Sequence, residues 1–231
     1  MPTPSDDKPK VLILGGTAEA LALAQTLVAA GDVSVITSLA GRTAEPVLPP
    51  GEVRVGGFGG ADGLAAYIRA HGISRVIDAT HPFARRISEN AIRATTETGV
   101  PLEYLVRPGW ERQRDDRWQE VSSLEEAARA LPAGATVFLA LGRQYLDAFV
   151  GRGDCRFVIR MVDPPAETLP FANHVLILGK PSADPATEAG LLAVHGITHL
   201  VCRNSGGAAG YGKIAAARQM GLPVVMVERA E

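Results

Sequence analysis

Val11-Leu12-Ile13-Leu14-Gly15-Gly16-Thr17-Ala18-Glu19-Ala20 runs four aliphatic residues into two glycines and a threonine, after which a helix-forming sequence begins. Consecutive apolar residues that end at a glycine turn fit a strand buried on both faces, the habit of a parallel sheet. Gly15 and Gly16 lack Cβ, so the chain can turn tightly and an anion can approach the N–H groups that open the next helix. Thr17 either caps that helix or offers its hydroxyl to a phosphate. The stretch falls short of the full G-x-G-x-x-G fingerprint, with alanine at 18 and 20, and a glycine turn that holds no ligand is the competing reading.

Outward from this stretch, short apolar runs at Val33–Ile36, Val53–Val55, Arg75–Ile77 and Leu102–Val106 read as strands. Ala18–Ala29, Gly63–Ala70 and Ile87–Thr98 carry apolar residues at helical spacing. The second half repeats the alternation, with strands at Val137–Leu141, Phe157–Ile159, Val175–Leu178, His199–Cys202 and Val224–Val227. Its helices fall at Ser123–Leu131, Thr187–Val194 and Lys213–Met220. Alternation of this kind predicts α/β modules with helices covering parallel sheets. His71-Gly72-Ile73 recurs as His195-Gly196-Ile197, and Gly99-Val100-Pro101 as Gly221-Leu222-Pro223, at nearly one displacement along the chain. The expected architecture is therefore two Rossmann-like parallel-sheet modules facing a central cleft, residues 1–99 and 100–231, with the polar segment Trp110–Gln119 as an excursion from the strand that follows. Ligands of such sheets bind beyond the carboxyl ends of the strands.

Composition narrows the partners. A net charge of −2 over 231 residues gives no global attraction for nucleic acid or acidic membrane. Cys155 and Cys202, with no paired spacing and no clustered histidines, predict neither a disulfide framework nor a metal site. The polar N-terminal stretch carries no targeting core, and no apolar run reaches the ~20 residues of a membrane helix, so a cytoplasmic protein is expected; a monomer or weak oligomer is the expected assembly.

The second strand bears on the cofactor. Folds that select NAD place an acid about 20 residues after the glycine loop, on the ribose hydroxyls. This chain instead offers Thr37-Ser38-Leu39-Ala40-Gly41-Arg42, two hydroxyls and a guanidinium, which favours the 2′-phosphate of NADP. Gly56-Gly57-Phe58-Gly59-Gly60 follows the third strand and reads either as a loop that passes beneath the cofactor, with Gly57 in contact, or as a flexible turn; Asp62 is the expected cap of the next helix. Asp78-Ala79-Thr80-His81-Pro82-Phe83-Ala84 closes a central strand, which puts Thr80 and His81 at the ligand edge, with Pro82 in the first turn of a helix. His81 either caps that turn or meets phosphate or nicotinamide.

Taken together, Gly15-Gly16-Thr17 with Glu19, Thr37 to Arg42, Asp78 to Ala84, and Asn204-Ser205-Gly206-Gly207 followed by Lys213 resemble the precorrin-6A reductase family of the vitamin B12 (corrin) pathway. The resemblance spans nearly the whole chain and departs at Ala230, where the family often has proline. It implies NADPH as hydride donor and reduction of one double bond of a tetrapyrrole macrocycle to a dihydro product, precorrin-6B. A polycarboxylate of that kind suits cations, and Arg143, Arg160, Lys180, Arg203 and Lys213 stand near strand ends of the second module, with Asn204 and Ser205 as polar partners. On this reading the pyrophosphate lies on Gly15 to Thr17, the 2′-phosphate near Ser38 and Arg42, and the nicotinamide near Thr80 and His81. His81 and Tyr211 are the candidate proton donors.

A short-chain dehydrogenase is disfavoured, since no lysine stands four residues after Tyr67, Tyr104, Tyr145 or Tyr211. A non-catalytic NADP-binding sensor is the remaining alternative.

Overall fold

The computed structural model describes residues 8–41 and 47–229; Arg42 lies outside them. The chain divides into two compact units, Met1–Arg107 and Pro108–Glu231.

In the first unit, β1 (Lys10–Leu14), α1 (Ala18–Ala30), β2 (Ser34–Leu39), β3 (Glu52–Val55), α2 (Ala61–His71), β4 (Ile73–Asp78), α3 (Arg85–Thr98) and β5 (Leu102–Tyr104) follow in order. Their strands form one parallel sheet, β3-β2-β1-β4-β5. The run that opens the chain explains itself here. Leu12 and Leu14 pack with Leu64 and Ile68 of α2 and Ala91 and Ala94 of α3, whereas Val11 and Ile13 pack with Ala20 and Ala24 of α1. Alternate side chains serve opposite faces, so a strand covered on both must be apolar throughout.

The second unit comprises β6 (Arg117–Val121), α4 (Leu124–Ala130), β7 (Thr136–Ala140), two 3-10 turns at Arg143–Tyr145 and Asp147–Phe149, and β8 (Arg156–Met161). β9 (His174–Leu178), α5 (Pro185–Val194), β10 (His199–Arg203), α6 (Gly212–Gln219) and β11 (Pro223–Val227) complete it. Its parallel sheet runs β6-β11-β10-β7-β8-β9. With β7 to β11 laid on β1 to β5, the strand order of the first sheet returns, and β6 is added outside β11. The repeat in the sequence is thus a repeat in topology. Gly72 and Gly196 both adopt the left-handed conformation, at φ 62° and 63°, as the chain turns into β4 and β10. That conformation, which glycine takes without a Cβ clash, is why the glycine of the triplet recurs.

Three expectations change. The first unit extends past residue 99, because Leu102 to Tyr104 pair with Val76 to Asp78 of β4. The segment read as an excursion ends in β6, whose single buried residue, Trp118, gives too little apolar signal to announce a strand. Asp62 lies in the first turn of α2 rather than at its cap, which is Gly60. Both cysteines are buried thiols, and burial pushes Cys202 up to about 11. No helix among the described residues is long and apolar enough to cross a membrane.

Candidate cofactor site and substrate face

In the register of the first sheet Leu14 stands beside both Ser38 and Asp78, so the loops leaving β1, β2 and β4 share one edge. Gly15 N–H donates to the Ser38 carbonyl at 2.9 Å. A Cβ at Gly15 would stand 2.9 Å from Thr37 Cγ2, and Gly16 has φ 104°. Both glycines are therefore required by packing and conformation. Thr17 caps α1: its Oγ1 accepts Ala20 N–H at 3.1 Å and donates to the Ala79 carbonyl at 2.8 Å. The first-turn amides of Ala18 and Glu19 face out of the helix start, where the dipole favours an anion. Glu19, in that turn, is held by Arg107 Nη1 at 3.1 and 3.2 Å, which neutralises its carboxylate.

Thr37 is 1% exposed, and its Oγ1 has no hydrogen-bond partner among the described residues. It shapes the floor under Gly15 rather than presenting a hydroxyl to solvent. Ser38 is buried as well, and its Oγ accepts Arg54 Nη1 at 3.2 Å. Arg54 also donates to the carbonyls of Gly56 and Gly57, each at 2.6 Å, and lies 3.7 Å from the Phe58 ring centroid. Gly57 therefore enters the site through its carbonyl. Arg54 escaped the sequence reading. Its signal is one charge in Val53-Arg54-Val55, directly before a glycine loop.

At the end of β4, buried Asp78 accepts both the backbone N–H (3.0 Å) and the hydroxyl (2.6 Å) of Thr80 through Oδ1. Pro82 sits in a turn closed by Ala84 N–H to the His81 carbonyl at 2.7 Å, and α3 begins only at Arg85. Proline is favoured at such a turn. His81 Nδ1 accepts Phe83 N–H at 3.2 Å, which assigns the proton of the neutral ring to Nε2. His81 is thus both a turn cap and a half-buried ring at the ligand edge.

In the second unit the expected substrate cations divide by burial. Arg143 and Lys180 are exposed and enter no ion pair among the described residues, and Arg203 is half-buried, 4.0 Å from the Tyr145 ring. Arg160 is instead committed to Glu188, Nη1 to Oε1 2.7 Å, with side-chain exposures of 7% and 2%. Lys213 is buried, donates to the Gly210 carbonyl at 2.6 Å and lies 4.7 Å from the Trp110 ring. Burial pushes its ammonium below the usual lysine range, with nearby Cys202 opposing the shift.

Asn204 and its glycines prove to be a clamp. Asn204 Oδ1 accepts Trp110 N–H at 2.7 Å, its Nδ2 donates to the Trp110 carbonyl at 3.1 Å and to Glu228 at 3.2 Å, and Trp110 Nε1 donates to the Gly207 carbonyl at 2.9 Å. A Cβ on Gly206 would collide with the Pro108 carbonyl. Ser205 is left half-buried beside this clamp. Tyr211 accepts from Gln113 at 3.0 Å and from Arg218, two turns along α6, at 2.8 Å, so its hydroxyl braces the helix. No cluster of potential metal ligands occurs among the described residues.

A parallel sheet in the order β3-β2-β1-β4-β5, with a glycine turn and helix start beyond its central strand, defines the first unit as a Rossmann-like domain. The model of the family described as precorrin-6x reductase CbiJ/CobK matches residues 10–231. Precorrin-6A reductases of Rhodococcus erythropolis and a Sinorhizobium species are 45% and 47% identical, over 95% and 98% of this chain and 89% and 87% of theirs. The cobalt-precorrin-6A reductase of Priestia megaterium is 30% identical over 95% of this chain and 90% of its own. A solved structure of a CobK precorrin-6A reductase superposes with a TM-score of 0.92 at 43% identity, covering 96% of this chain and 89% of that one. The chain belongs to the precorrin-6x reductase family.

Proposed function

We propose that this protein uses NADPH to reduce one double bond of the precorrin-6A macrocycle, giving the dihydro product precorrin-6B in vitamin B12 biosynthesis. The observation that carries the reading is the shared edge of β1, β2 and β4, which sets the Gly15-Gly16-Thr17 turn beside Ser38 and Asp78 in a chain of this family. The cradle fits a dinucleotide: a Cβ would fill the space above Thr37, and the start of α1 offers free amides. NADPH, when bound, supplies the hydride.

The protein's own groups do the rest. The amides at α1 and the bare backbone of Gly15 and Gly16 hold the pyrophosphate, while Asp78 fixes Thr80 and the turn fixes His81 beside the reacting ring. Such a site works by positioning and by excluding water. His81 Nε2–H is the donor best placed to deliver the accompanying proton. In the second unit Arg143, Lys180 and Arg203 meet substrate carboxylates. Relatives acting on precorrin-6A reach 41–47% identity, against 30% for the cobalt-precorrin-6A reductase of P. megaterium, which supports the metal-free macrocycle.

The test is direct. Adding verified precorrin-6A to the protein with NADPH is expected to bleach the nicotinamide absorbance and yield a product heavier by two hydrogens. Tight NADPH binding with no oxidation would instead identify a non-catalytic sensor.

A further inference from the structure

We infer that Arg54 is the residue that distinguishes a 2′-phosphorylated adenine dinucleotide from one lacking that phosphate; the inference rests on the cofactor reading above. Arg54 stands opposite Ser38 in the pairing of β3 with β2. That is the sheet edge where the adenosine ribose of a dinucleotide fold is read, by a carboxylate for the free hydroxyl or by an arginine for the phosphate.

Among the described residues, no carboxylate pairs with Arg54. The half-buried arginines of the first unit are Arg54, Arg75 and Arg107. Arg75 is paired with Glu103 and Arg107 with Glu19, but among the described residues Arg54 has only neutral hydrogen-bond partners: the Ser38 hydroxyl and the carbonyls of Gly56 and Gly57. Glu52, on the same strand, forms no ion pair with it. A guanidinium carries five N–H donors, and these contacts use three, so donors remain for an incoming anion. A phosphate dianion would bring the missing counter-charge, whereas a ribose hydroxyl would not.

The group is also held in place before any ligand arrives. Phe58 lies under the guanidinium, Tyr67 meets Phe58 edge-on at 5.2 Å, and Tyr67 stacks on His71 at 3.8 Å. A side chain already fixed by carbonyls and an aromatic face loses little entropy on binding. The same contacts anchor the loop that carries Gly57, so a loop-bracing role is the rival explanation.

Isothermal titration of the full chain with NADPH, NADH, adenosine 2′,5′-bisphosphate and ADP separates the two, using Arg54→Met and Arg54→Lys. Arg54→Met is expected to weaken NADPH and adenosine 2′,5′-bisphosphate by about ten- to a hundredfold, the scale of a charged hydrogen-bonded contact, with NADH and ADP changed about twofold or less. Arg54→Lys keeps the charge without the fork and recovers part of the loss. Equal weakening of phosphorylated and unphosphorylated ligands in folded protein would overturn the inference in favour of bracing. Unchanged binding of all four would place the phosphate elsewhere. Wild-type protein that binds no dinucleotide at all would overturn the cofactor reading itself, and this inference with it.

Discussion

Replacing Glu188 by alanine removes the acid that neutralises Arg160 inside the second unit. Glu188 Oε1 accepts from Arg160 Nη1 and from Ser182 N–H, each at 2.7 Å, and the side chain is 2% exposed. A solvent-exposed ion pair contributes about 0.2–1 kcal/mol, whereas stripping one partner from a buried pair costs about 3–5 kcal/mol because the other charge stays in low dielectric. The upper part of that range is expected, since the field of Arg160 already reaches buried Lys213 and loss of Glu188 would leave two cations together. Arg160→Met with Glu188→Leu removes both charges. Glu188 Oε2 is buried without a partner among the described residues, so the native pair already carries a desolvation cost. The double variant should therefore lie within about 1–2 kcal/mol of wild type, the residue being mostly the unsatisfied Ser182 N–H. Urea denaturation of the three proteins measures this. A loss of about 1 kcal/mol or less in Glu188→Ala would refute the argument from burial. The double variant also decides the role of Arg160: an unchanged KM for the macrocycle assigns it to the fold, and a tenfold rise in folded protein would make it a substrate contact after all.

Gly15→Ala should cost about 1–3 kcal/mol by overpacking and weaken NADPH binding, and Gly15→Ala with Thr37→Ser should recover most of both, because serine lacks the Cγ2 that a new Cβ would strike; urea unfolding and NADPH titration check it. Asn204→Ala strands the buried Trp110 N–H and should cost about 1–3 kcal/mol by urea unfolding. For Lys213, whose folded pKa lies below the unfolded value of 10.5, the unfolded chain binds more protons between the two values, so wild-type stability rises with pH through that window. Thermal unfolding of Lys213→Met and wild type from neutral to strongly alkaline pH should show the difference between them shifting steadily in favour of wild type.

Features carried by neighbours in sequence were legible, and features carried by sheet register were not. The glycine turn, the Thr17 cap and the Asp78 to His81 turn are built from residues within a few positions of one another, so their chemistry shows in the string. Arg54 and Ser38 meet because β3 pairs with β2, a relation invisible without the register. Asn204 resembles a ligand contact in the string because its partner, Trp110, stands 94 residues back along the chain. Arg160 stands near the end of β8 and Lys213 in the first turn of α6, but residue type does not report burial, and burial commits both to internal partners.

The two units repeat one strand order, and apart from the added β6 and α4 they diverge most clearly at the turn after the first strand of the repeat. In the first unit Gly15, Gly16 and the Thr17 cap launch the 13-residue α1, whose amides face the ligand edge. In the second, Leu141-Gly142-Arg143 follows β7 with one glycine and no capping hydroxyl, and the chain passes into two 3-10 turns instead. A helix start gathers several amides on one point, which suits a pyrophosphate. A 3-10 turn offers no such focus but presents Arg143 outward on a long side chain, and charges of that kind suit carboxylates spread around the rim of a macrocycle. On the proposed reading, the loss of one glycine and one cap is what turns a cofactor module into a substrate module.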